Sequence, residues 1–314
     1  MFLKLLKNTH SYLILLFLFV NSSFFILDLI LERFEFPTYD LYNSNILWAS
    51  ICIVLLSLQC VGLNNIVHEK DVIKKPSFVT AFVFLILCTP FNLNPINNFT
   101  SLVLLFFLNF ILKLHKEKSP FKSVYNASIV LSFCSLFIPE VLFLSSLIII
   151  SSLIFRSISL KTFLIVFLGI STPYLFIYTA KYLFELNFAI LQFNLKYINI
   201  NDYYNLFITY DNKAYWYTTI FIVSLFATFE IFRWIYKKSA KSRESFMIII
   251  CYLIISSLIS VFFHNSNTLF LCLTPLCIII SNFFVYHKNS FLSEILFAVF
   301  AFISIFYRVS MINL

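Results

Sequence analysis

Eleven apolar runs, joined by short hinges that hold most of the positive charge, divide this chain from end to end. They fall at about 12–27, 46–63, 77–91, 99–112, 124–138, 141–155, 162–184, 215–235, 246–263, 268–286 and 291–307. A bilayer core takes roughly 20 helical residues, so several runs are short and would stand upright, thin the bilayer or re-enter it. In hydrocarbon every backbone N–H and C=O must find its partner within the protein, which makes the helix the natural element for an unbroken apolar run. The pattern predicts an all-α polytopic transmembrane bundle of about eleven spans, folded as one integral-membrane domain over 1–314. Composition closes the soluble alternative. The chain is 61% hydrophobic and 11% charged, against about 25% charged in a soluble domain.

Lys4 and Lys7 precede the first run, as in a signal sequence, but no small-x-small cleavage site follows, so the run is expected to stay as the first helix. If the amino terminus is cytoplasmic and every run crosses, seventeen of the 22 basic residues face the cytoplasm. They are Lys4 and Lys7; Lys70, Lys74 and Lys75; Lys113, Lys116, Lys118 and Lys122; Arg156 and Lys161; Arg233, Lys237, Lys238, Lys241 and Arg243; and Lys288. Arg33, Lys181, Lys196, Lys213 and Arg308 remain outside. This alternation follows the positive-inside rule and predicts a cytoplasmic amino terminus. It also explains the net charge of +8 without a nucleic-acid partner, because the cations form no continuous stripe or tail.

Several chemistries find no support. All seven cysteines lie in apolar runs without a Cys-x-x-Cys pair, and read as small buried hydrophobes. The five histidines are scattered over both sides, so no metal site is expected. Gly62 and Gly169 are the only glycines, which argues against phosphate-cradling loops. Pro90, Pro173 and Pro275 could each break a span. Among ionisable groups near span ends, Glu230 is spaced to pair with Arg233, Lys181 is spaced to pair with Glu185, and Glu294 lies near an inner boundary.

The acids concentrate outside. Asp28, Glu32 and Glu35 are spaced four and three apart, so a helix continuing from the first span sets them on one face, with Arg33 beside them and Asp40 beyond Pro37. One reading is an outer loop made soluble by acids; the other is a catalytic site. A second outer segment, about 185–214, is rich in Asn, Asp and Tyr, including Tyr203 and Tyr204, and leads into Trp216. In organisation the chain resembles the integral-membrane glycosyltransferases of the C superfamily, with many short spans and an acid just after the first helix. That resemblance implies a polyprenyl-phosphate-linked sugar as donor and Asp28 or Glu32, with Glu35 nearby, as general base on an acceptor hydroxyl. Arg33, Lys181 and Lys196 would meet the leaving phosphate, and Tyr203, Tyr204 and Trp216 the sugar.

A second resemblance lies over about 65–185. Pro90-Phe91, Asn94, Asn98, Lys113, Lys118, Lys122 and the run Tyr125-Asn126-Ala127-Ser128 are similar to a family of uncharacterised multi-pass inner-membrane proteins of flavobacteria and relatives. It implies a Gram-negative inner membrane and assigns no cofactor or activity. The expected function is therefore a transferase or polymerase acting on lipid-linked sugars at the periplasmic face. A non-catalytic assembly partner and a lipid or polysaccharide transporter are the alternatives.

Overall fold

In the computed structural model the residues described are 2–8, 12–30, 44–88, 95–116, 120–185, 212–263 and 268–310. Among them every regular element is a helix. In chain order these are α1 (Phe2–Leu6), α2 (Tyr12–Ile30), α3 (Ser44–Glu69), α4 (Val79–Cys88), α5 (Pro95–Lys113) and α6 (Phe121–Ser135). There follow α7 (Ser145–Ile154), α8 (Leu160–Phe184), α9 (Asn212–Trp234), α10 (Ala240–Phe263), α11 (Phe270–Tyr286) and α12 (Ser290–Ser310). The protein is all-α and a membrane protein, with each apolar run carried by a helix.

The helices differ in reach. Six are long and apolar enough to cross a bilayer: Ala49–Glu69, Pro95–Lys113, Leu160–Phe184, Tyr215–Lys237, Ala240–Phe263 and Phe291–Arg308. Shorter apolar helices run over Tyr12–Ile26, Val79–Cys88, Pro139–Ile154 and Phe270–Tyr286. α6 is in neither group, because Ser123, Asn126, Ser128, Ser132 and Ser135 dilute its apolar length. After it, Pro139 opens a tight 3-10 turn, Pro139–Leu144, before α7 begins; a proline there has no N–H to lose to a preceding carbonyl. Elsewhere proline does not end a helix: α8 and α11 run through Pro173 and Pro275. Pro90 lies outside the described residues.

Contacts gather the chain into two compact units. The first comprises Met1–Asn98, Asn199–Lys238 and Leu273–Leu314. Its core is α4, whose ten residues are all buried, as expected of a helix apolar all round. α3 turns Cys52, Leu56, Cys60, Leu63 and Val67 inward at spacings of three and four. The Cys277 thiol of α11 reaches the Thr80 carbonyl at 3.4 Å. Buried amides take up backbone carbonyls: Asn21 Nδ2 donates to Ile53 at 3.2 Å, and Gln59 Nε2 to Asn98. The loop after α3 is pinned from within, with His68 Nδ1 2.9 Å from the Ile73 carbonyl and the Phe78 N–H bonded to Leu6 of α1 at 3.0 Å.

The second unit comprises Phe99–Ile198 and Ser239–Cys272. Its tightest joint is α6 against α8. Gly169 lets the helices approach until a Cβ there would stand 2.5 Å from Ser128 Cβ and 3.2 Å from the Tyr125 carbonyl. Pro173 supplies no N–H to the Gly169 carbonyl one turn back, and Thr172 Oγ1 donates to it instead at 3.0 Å. Ser132 Oγ donates to Ile170 O at 2.6 Å, and Ser135 Oγ lies 2.6 Å from the Tyr174 hydroxyl. Small residues facing small residues, with hydroxyls crossing the seam, is how helices hold together where lipid offers no hydrophobic drive. Away from that seam α8 is exposed, Phe167, Phe176 and Tyr182 included. Its first turn carries a capping box of Ser159 and Thr162.

Candidate functional site

In the first unit a cavity of about 560 Å³ opens between α2, α4 and α12. Val20 and Phe24 line it from α2, Phe82, Leu85 and Ile86 from α4, and Phe291, Ile295, Phe297, Ala298, Ala301 and Ile305 from α12. From Phe291 to Ile305 the wall extends about 21 Å along α12 at the helical rise per residue. The lining is aliphatic and aromatic apart from Glu294. Its volume falls in the range of about 300–1,000 Å³ usual for ligand sites. The shape, long and apolar, suits a hydrocarbon chain.

The two ends differ. At one end are Leu3, Phe291 and Glu294. Lys7 lies near them; burial and the charge of Lys75 push its ammonium below the ordinary lysine value, against the pull of Glu294. At the other end Phe24 and Ile305 line the cavity, and Arg308 stands one turn past Ile305 in α12. Its side chain is buried at 3% exposure. The guanidinium donates to the Phe24 carbonyl at 3.0 Å and sits 4.9 Å from the Phe24 ring and 5.8 Å from the Phe25 ring. The buried cation is thus held by a carbonyl and two ring faces.

Asp28 belongs to the last turns of α2, one turn beyond Phe24. The other predicted acids, Glu32 and Glu35, fall outside the described residues, as do Arg33, Lys196, Tyr203 and Tyr204. Lys181 is in the second unit near the end of α8, where its carbonyl accepts from the Glu185 N–H. Trp216 is in the first unit and faces inward, only 2% exposed. Its Nε1–H donates to Ser304 Oγ at 3.1 Å, and its ring stacks on Tyr307 with centroids 5.6 Å apart. The indole thus ties α9 to α12, one turn before Arg308.

Glu230 is held differently from the pairing its spacing suggests. His287 Nδ1 lies 2.6 Å from Glu230 Oε2, and Phe283 packs on the imidazole at 4.7 Å. A half-buried acid at a span end takes its hydrogen-bond partner from a ring packed beside it, while Arg233 on its own helix is exposed. In the second unit His115 meets Glu244 in the same way at 3.0 Å. Sequence spacing gives no sign of either pair, because the partners are remote along the chain.

The model of one protein family, DUF6427, matches residues 1–314. The chain belongs to that family. Its description is a family of unknown function, so membership brings no activity and no site residues. The match extends over the whole chain, whereas the resemblance to uncharacterised membrane proteins rested on the middle third. No curated protein and no solved structure matches the chain.

Proposed function

We propose that this DUF6427 protein is an inner-membrane transferase or polymerase of the Gram-negative envelope, acting on sugars carried by a lipid at the periplasmic face. The observation that carries the reading is the apolar cavity of about 560 Å³ whose end lies at Phe24 and Ile305, one turn short of Asp28 on α2 and of Arg308 on α12. The hydrocarbon chain of a polyprenyl phosphate occupies the cavity, which brings its phosphate toward Arg308. Asp28, or Glu32 or Glu35 beyond it, accepts the proton of the acceptor hydroxyl as that oxygen attacks the sugar carbon. The bond from that carbon to the lipid phosphate breaks, and the departing charge goes to Arg308, with Arg33 as a further cation. Tyr203 and Tyr204 hold the sugar.

This reading takes the amino terminus as cytoplasmic and eleven runs as crossing, so that α2 ends outside. Its test is a set of single alanine substitutions at Asp28, Glu32 and Glu35, read as surface glycan and as protein level in the membrane. Loss of a glycan product in at least one variant, at unchanged protein level, is expected. Wild-type glycan in all three would sink the catalytic reading. A companion variant, Ala301→Trp, fills the cavity and is expected to remove the same product. Loss with Ala301→Trp alone would assign the protein to lipid-dependent assembly rather than catalysis.

A further inference from the structure

The apolar cavity between α2, α4 and α12 is narrow as well as long. Its wall on α12 runs from Ile305, at the Phe24 end, past Ala301, Ala298 and Ile295 to Phe291, about 21 Å at the helical rise. Dividing the volume of about 560 Å³ by that length leaves a mean cross-section of about 27 Å². A straight hydrocarbon chain packed as densely as a protein interior takes about 21 Å², whereas one with a methyl branch on every fourth carbon takes about 26 Å². The cavity has the girth of an isoprenoid chain. The room comes from Ala298 and Ala301, the two smallest side chains in the lining.

Length and volume set the same limit. An isoprene unit extends about 4.8 Å along a stretched chain and fills about 125 Å³ at interior density. Either measure therefore admits about four units. At the far end the lining changes to Leu3, Phe291 and Glu294, and Phe291 is 78% exposed. Hydrocarbon gains nothing from a carboxyl group, so any excess chain leaves past Phe291 into the surrounding lipid. There it adds no affinity, because lipid tails are as apolar as the cavity wall.

We infer that the cavity measures off the phosphate-proximal part of an isoprenoid carrier, about four units, and leaves the rest of the chain unread. It rests on the proposed seating of a lipid phosphate with its head at the Phe24–Ile305 end, and names the carrier class. Prenyl phosphates of that length or longer are equivalent to the protein, and shorter ones bind less well. Ala298 marks the scale: it stands about two helical turns from Ile305, about 10 Å or about two units into the cavity.

The test titrates the full chain, purified in a neutral detergent, with prenyl phosphates and reads affinity from the rise in thermal unfolding midpoint. Geranyl, farnesyl and geranylgeranyl phosphates are expected to bind in rising order, about threefold tighter for each added unit. Undecaprenyl phosphate is expected to match geranylgeranyl phosphate within about twofold. Hexadecyl phosphate, similar in length but unbranched, should bind about fivefold more weakly than geranylgeranyl phosphate. Ala298→Trp, at an exposed position of the lining, should remove the gain beyond geranyl phosphate; if that variant does not fold, the native series decides alone. Undecaprenyl phosphate binding about tenfold tighter than geranylgeranyl phosphate, or a folded Ala298→Trp protein that still gains with each unit, overturns the measured limit and leaves the lipid-linked reading standing. No shift with any prenyl phosphate, or hexadecyl phosphate binding as tightly as geranylgeranyl phosphate, overturns that reading as well.

Discussion

Lys238 has a protonation state that folding changes. Burial, and then the charge of Lys74, lowers its ammonium from the ordinary lysine value of 10.5 to about 8 in the folded chain. Between those two values the unfolded chain binds more protons than the folded one, so stability rises with pH through that window. Below it the charged side chain is present in both states and its cost to the fold is fully felt. Unfolding midpoints should therefore climb from pH 8 toward pH 10, and Lys238→Gln should flatten that slope. A slope equally steep in the variant would detach it from this lysine. Trp216 poses a different question at the same scale. Trp216→Phe keeps an aromatic ring on Tyr307 but removes the donor to Ser304, and should cost about 1 kcal/mol of stability. The loss should appear in thermal unfolding and leave glycan yield per folded molecule unchanged; a fall in yield at full stability would return the indole to the sugar-binding surface.

Between helices, the closest fit is also the most fragile. Gly169→Val drives two methyls and a Cβ into Ser128 and the Tyr125 carbonyl, so α6 and α8 must part, at a cost of about 1–3 kcal/mol. Ser128→Gly in the same chain removes the nearer obstacle and should recover part of that loss, a coupling that a double-mutant cycle in detergent would read directly. Where helices end, a chain with only Gly62 and Gly169 lacks the residue that favours a left-handed C-terminal cap. Asp71, Arg156 and Glu185 take that conformation instead, at φ of 58°, 55° and 52°. Arg156→Gly should stabilise the fold by about 0.5–1 kcal/mol, measured as a raised midpoint. These ends explain where sequence reading succeeds and where it stops. Every apolar run became a helix because hydrocarbon leaves the backbone little choice, yet caps on Asp, Arg and Glu carry no turn signal. The approach of α6 to α8 is partly visible as Gly169 opposite a serine-rich run. The cavity is not visible at all, since Phe24, Ile86 and Ala301 come from three distant helices and read separately as ordinary lipid-soluble side chains. Glu230 shows the same limit, its His287 partner being 57 residues away.

For the molecule as a whole, function turns on which segments share a side of the membrane. The Asp28 turn and the 199–216 segment can serve one reaction only if both are periplasmic, and that depends on how the chain passes from 124 to 155. Two crossings there, or none, leave the parity intact; a single crossing puts the later segments on the other side. The short α6, the 3-10 turn at Pro139 and the ten-residue α7 make this the stretch where length alone does not decide. Single cysteines at Asn43, Lys118, Ser157 and Asn205, probed in intact cells with a membrane-impermeant maleimide, separate the cases. The native thiols give little background, since five are buried and Cys251 and Cys272 are half-buried. The orientation drawn from the basic hinges expects labelling at Asn43 and Asn205, and none at Lys118 or Ser157 until the inner membrane is opened. Labelling at Asn43 and Ser157 with protection at Asn205 would reveal a single crossing in 124–155. The Asn-, Asp- and Tyr-rich segment would then face the cytoplasm, out of reach of the carboxylates after α2. That arrangement would also end α12 in the cytoplasm, whereas Arg308 donates to the Phe24 carbonyl one turn short of Asp28, so it would dismantle the cavity end as well as the sugar site.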